Sequence, residues 1–89
     1  MATAIVRFRV ADYDHWRRVF DALALTRIEH GITAASVHRD AGDPARVVTI
    51  LAARSLAAAR AWTVSEVLHA AMAEAGVIGR PEVELLEDA

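Results

Sequence analysis

Arg27 is the residue whose type and position ask most directly for chemistry. At 100° per residue it falls on the same helical stripe as Trp16, Phe20 and Leu23. A guanidinium on an apolar stripe must meet a carboxylate, a carbonyl or an anionic ligand, because unpaired burial of charge is costly. Two readings follow. Arg27 is an anchor for a phenolate, enolate or carboxylate, or it is a cation favoured by the C-terminal end of the helix dipole that reaches solvent along its stem. Four histidines, His15, His30, His38 and His69, supply the candidate bases. Their spacing contains no His-x-x-x-His pair, so no local metal motif is present. His38 shares the parity of Ser36 on one polar strand face, and serves as a general base if that face lines a pocket. The plainer reading of all four is a boundary or surface histidine.

Aromatic side chains supply candidate walls for a flat ligand. Tyr13, Trp16 and Phe20 lie on one helical stripe, Trp62 lies among alanines on another, and Met72 shares a third with Leu68 and Ala75. Phe8 faces inward from the first strand. Together with Arg27 at the polar end, these residues predict a pocket of a few hundred Å³ between helices and sheet. Plain core packing explains the same spacing. Asp12 and Asp14 resemble an acid–base pair, but helix capping accounts for them more simply.

Absences narrow the chemistry further. The 89 residues contain no cysteine, which removes disulfides, thiolate zinc sites and cysteine nucleophiles together. Lysine, asparagine and glutamine are also missing. Ten arginines against 12 carboxylates leave a net charge of −2, which argues against a grip on nucleic-acid phosphates. The first and third strands lack the paired aromatics with which a sheet stacks RNA bases. No apolar run approaches the roughly 18–20 residues of a membrane span, and the first ten residues show no signal-peptide pattern. The expectation is a cytoplasmic protein with no metal and no cofactor, formed as one domain over residues 1–89.

The elements that must hold these residues are readable from periodicity. Ala4 to Val10 alternates as a strand, with Val6, Phe8 and Val10 on one face. Asp12 caps a helix over about residues 13–30, which Gly31 stops. Thr33 to Arg39 is a weaker strand, Asp40 to Pro44 is a turn, and Arg46 to Ala53 is a strand apolar on both faces. Ser55 and Ser65 each cap a short helix. Residues 76–81 read as a loop, and Glu82 to Glu87 as a last strand. This is β-α-β-β-α-β, the ferredoxin-like α+β arrangement with a four-stranded antiparallel sheet. Its last strand lies beside its first, so Arg7 and Arg9 can face Glu82 and Glu84. Twenty of the 49 apolar residues are alanine, so the core is thin. One sheet face keeps apolar residues that no remaining element covers, and a homodimer formed sheet to sheet is the simplest cover.

The stretch Val10-Ala11-Asp12-Tyr13-Asp14-His15-Trp16, followed by Phe20-Asp21, Arg27 and Gly31, resembles small bacterial proteins of the dimeric α+β barrel superfamily, of the antibiotic biosynthesis monooxygenase-like or cyclase-like kind. Asp43-Pro44 and Ala71 to Val77 before Pro81-Glu82-Val83 carry the same likeness, which extends over nearly the whole chain. The resemblance implies a small aromatic or polyketide-like ligand held between sheet and helices in each subunit. It implies cofactor-free chemistry, in which a base removes a proton, a cation holds the anion, and the anion reacts with oxygen or cyclises. A non-catalytic ligand-binding or structural dimer of the same fold is the alternative. The haem-degrading relatives rely on a first-strand asparagine, and this chain has none, so haem degradation is not expected.

Overall fold

The computed structural model describes residues 1–89. Its elements run β1 (Ala2–Val10), α1 (Tyr13–Ala22), α2 (Ala24–Glu29), β2 (Ile32–Arg39), β3 (Arg46–Ala53), α3 (Leu56–Thr63), α4 (Glu66–Glu74) and β4 (Val77–Glu87). The strands form one antiparallel sheet in the order β2-β3-β1-β4. No helix is long and apolar enough to cross a membrane.

Alternation decides which side of the sheet is covered. Ala2, Ala4, Val6, Phe8 and Val10 of β1 are all buried, and Ala4, Val6 and Phe8 lie opposite Leu51, Thr49 and Val47 of β3, which are buried too. The helices cover this face. Ala2, Ala4, Ala53 and Ala59 are fully buried and small, and the largest fully buried side chain, Trp62, shares the core with them. The other face carries Ile5 opposite Ile50, with Leu86 at the β4 side and Ser36 and His38 on β2. Ile50 and Leu86 are 39% and 40% exposed there, and no element of the chain covers them.

Each expected cap forms. Asp12 accepts from the His15 amide, Ser55 from Ala58 and Ser65 from Leu68, at 3.3, 3.0 and 3.2 Å. Gly31, at φ +83°, follows the end of α2 in the left-handed region, and a Cβ there would stand 2.8 Å from Arg54 Nε.

Two elements differ from the expectation. The helix over residues 13–30 is two helices, parted at Leu23. The Leu23 amide donates back to the Phe20 carbonyl over three residues at 3.2 Å, and that carbonyl also accepts Arg27 Nη1 at 2.7 Å. A side chain thus occupies an acceptor that a continuous helix would give to the Ala24 amide. Residues 76–81 are not a loop, because β4 already begins at Val77. Arg7 pairs with Glu82 and Arg9 with Ile78, so Gly79, Arg80 and Pro81 bulge opposite the single residue Phe8. Gly79 takes φ +74°, and on an edge strand Pro81 sacrifices no inner ladder bond. The bulge adds two residues, so parity survives it: Val77 and Val83 lie opposite Val10 and Val6. It also redirects the charges. Arg7 reaches Glu84 at 3.2 Å as expected, but Arg9, now opposite Ile78, bonds Asp43 at 2.6 Å instead.

Candidate functional site

A narrow cleft opens between the covered sheet face and the helices. Its floor is Val6 and Phe8 of β1 with Thr49 and Leu51 of β3. Trp16, Val19, Phe20 and Leu23 of α1 and its end form one wall, Trp62 and the Leu68, Ala71, Met72 and Ala75 side of α4 the other, and Arg27 projects in from α2. The cavity inside the cleft is small, about 40 Å³ rather than the few hundred expected, so a ring-sized guest enters only as the half-buried side chains Leu68 and Met72 shift. Val19, Leu23 and Ala71 also face a shallow outer hollow rimmed by His15, Arg18 and Glu74.

Along one side the aromatic rings form a ladder. Phe8 lies 5.3 Å from Trp16 with tilted planes, and Trp16 stacks on Phe20 at 5.0 Å. The Arg27 guanidinium closes the ladder, 3.8 Å from the centre of the Phe20 ring. Arg27 is only 8% exposed, so it does not reach out to solvent along its stem as the second sequence reading supposed. No carboxylate lies within ion-pair distance of it: the salt bridges of the chain join Arg7, Arg9 and Arg17 to their partners. Its one hydrogen bond goes to the Phe20 carbonyl. Burial pushes its pKa below the ordinary arginine value, partly opposed by the charge of Asp21 and reinforced by that of Arg17. The result is a cation held in an apolar cleft, with donors left over and no counter-ion.

Of the residues singled out by sequence, Phe8, Trp16, Phe20, Trp62, Met72 and Arg27 come together in the cleft. Tyr13 does not line it. Its ring packs beside Trp16 at 5.8 Å and under the Arg39 guanidinium at 4.1 Å, and its hydroxyl accepts from Arg17. His38 is also apart. The β2–β3 register sets Ser36 and His38 opposite Ile50 and Val48, on the uncovered sheet face, where His38 Nε2 lies 2.9 Å from Ser36 Oγ. The condition on which His38 would act as a base is therefore unmet: its face of the strand does not line the cleft. His30 does not line the cleft: its ring packs 5.1 Å from Trp62 and its Nδ1 lies 2.7 Å from the Thr26 carbonyl. His15 and His69 are engaged with the Glu74 and Ser65 carbonyls, both at 2.8 Å. No three His, Asp or Glu side chains gather in a group that could hold a metal ion.

Sequence reading missed Thr49. The signal was present: Thr49 shares the inward parity of Val47 and Leu51, and is the polar exception in that row.

No family model matches the sequence, and no curated protein sequence does. Solved structures do match in shape. SnoaB, a cofactor-independent oxygenase from Streptomyces nogalater, is similar at TM-score 0.77 and 17% identity, over 99% of this chain and 92% of that one. A proposed antibiotic biosynthesis monooxygenase from Bordetella bronchiseptica is similar at TM-score 0.80 and 11% identity, over 99% and 96% of the two chains. Another from Caulobacter crescentus is similar at TM-score 0.78 and 18% identity, over 99% and 89%. At these identities the likeness shows the fold: the chain has the ferredoxin-like α+β fold of the antibiotic biosynthesis monooxygenases.

Proposed function

We propose that residues 1–89 form one domain that acts as a small-molecule enzyme of the cofactor-free type, a monooxygenase or cyclase that takes an aromatic or polyketide-like substrate as its anion. The observation that carries this reading is Arg27: a buried cation without a counter-ion, set at the end of an aromatic ladder inside an apolar cleft. The rings hold a flat substrate by stacking, and the guanidinium holds a phenolate or enolate oxygen. No His, Asp, Glu or Tyr lines the cleft, so the substrate gives its proton to water and is held as the anion that the positive charge beside its oxygen stabilises. In the oxygenase outcome a ring methylene and dioxygen give a ring carbonyl and water, one oxygen atom going to each. The fold shared with a cofactor-independent oxygenase supports the reading. The active form would be a cytoplasmic homodimer paired through the uncovered sheet face, with no nucleic acid or membrane as partner.

One observation favours a second reading, a non-catalytic carrier of the same ligand: the cleft has no protein base. Oxygen uptake with electron-rich phenols and aromatic polyketides separates the two. Uptake that depends on Arg27 identifies the enzyme, and tight binding without turnover identifies the carrier. In either case Arg27→Ala should weaken an anionic aromatic by roughly 10–100-fold and a neutral analogue far less, since a hydrogen bond to a charged group is lost in one and not the other. Equal losses for both would return Arg27 to a structural role.

A further inference from the structure

Arg27 accounts for one end of a bound ligand and leaves the sheet floor without a role. That floor is apolar except at Thr49, which lies between Val6 and Val37 on the neighbouring strands and is 4% exposed. Its hydroxyl makes no hydrogen bond within the chain. No sealed polar side-chain atom of the protein lacks a partner, so this hydroxyl is not sealed: it opens onto the cleft that Thr49 lines. Valine has nearly the same shape, favours the strand equally and carries no polar group to desolvate, so folding gives no reason for threonine here.

We infer that Thr49 is a specificity-determining residue of the cleft, which selects aromatic anions bearing a second, uncharged oxygen over those without one. The inference rests on the reading that the cleft binds an aromatic anion at Arg27. The two polar groups come from different layers, Arg27 from α2 and Thr49 from the central strand β3. A rigid planar guest fixed at both has one orientation, whereas a guest fixed only at Arg27 can pivot on the rings. A hydroxyl both donates and accepts, so Thr49 suits a carbonyl or a hydroxyl on the guest. A guest with carbon at that point leaves the threonine oxygen unpaired against it, which is how a buried polar site rejects an analogue lacking one oxygen.

The test is titration of tryptophan fluorescence with naphthoate and with isomeric hydroxynaphthoates, whose hydroxyl stands beside the carboxylate or across the ring system from it. Wild-type protein should bind at least one hydroxynaphthoate about tenfold more tightly than naphthoate, the gain expected for one added hydrogen bond. Thr49→Val should erase that gain while leaving the naphthoate affinity and the thermal midpoint at or above wild type. Thr49→Ser should retain the gain. If naphthoate binds but no isomer gains, or if Thr49→Val keeps the gain, the role of Thr49 is overturned and the anion site at Arg27 stands. If naphthoate does not bind wild-type protein at all, the anion site fails and the inference about Thr49 fails with it.

Discussion

Arg27 is held in place by weak means for a buried charge. Its guanidinium has one carbonyl and one ring face, and no carboxylate. A charge taken from water to such a site is a net cost to folding unless something else repays it, and a bound anion would do so. Replacement by an apolar residue of similar length is therefore informative. Arg27→Met should leave the unliganded protein at least as stable as wild type, with a gain of about 1 kcal/mol, or roughly 4–8 °C in a domain of this size. The same variant should lose stabilisation by aromatic anions. A drop in the thermal midpoint without ligand would mean that the bond to the Phe20 carbonyl holds the α1–α2 joint together, and that Arg27 serves the fold. Its position was legible in the sequence as a charge at the angle of Trp16 and Phe20. What took up its hydrogen bond was not, because the acceptor is a backbone carbonyl freed by a helix break that has neither glycine nor proline to mark it.

At the level of elements, residues with a local reason to be where they are were readable. The caps at Asp12, Ser55 and Ser65 and the stop at Gly31 follow from side-chain chemistry within a few residues. The β4 bulge did not, because Gly79 and Pro81 give the same local signal in a loop and in an edge-strand bulge, and only pairing with β1 tells them apart. That bulge frees Arg9 for Asp43 in the β2–β3 connection. The Arg9 hydrogen bond holds the Asp43 carboxyl below the usual carboxylate range, against an opposing effect of desolvation and with help from the Ala45 amide and the charges of Arg9 and Arg46. A carboxyl with a lowered folded-state pKa contributes stability that is present above its unfolded value, about 3.9, and is lost as pH falls through the folded value. Acid should therefore loosen this connection below about pH 4. Arg9→Leu should bring the Asp43 titration, followed by carboxyl NMR shifts, back up towards the ordinary range. No upward movement would assign the shift to the Ala45 amide instead.

For the whole molecule, the decisive fact is that the sheet has two faces and the chain covers one. Val6, Phe8, Val47 and Leu51 are buried beneath the helices, while Ile5, Ile50 and Leu86 gather on the other side, with Arg7 and Glu84 paired among them. A second copy laid on this face would bury the same patch from both sides, as a two-fold interface requires. Sedimentation at micromolar concentration should then give twice the chain mass of 9.6 kDa. Ile50→Asp, which sets a carboxylate at the centre of the patch, should shift the protein to the monomer. A wild-type monomer would refute the pairing. The cleft, by contrast, is built from one chain on the opposite side of the sheet, and none of its lining residues lies on the uncovered face. Dimerisation and binding are therefore separable. The Ile50→Asp monomer should hold an aromatic anion within about threefold of the wild-type affinity, a difference well under 1 kcal/mol. A larger loss would show that the strands flex when unpaired and that the cleft depends on the second subunit for its shape.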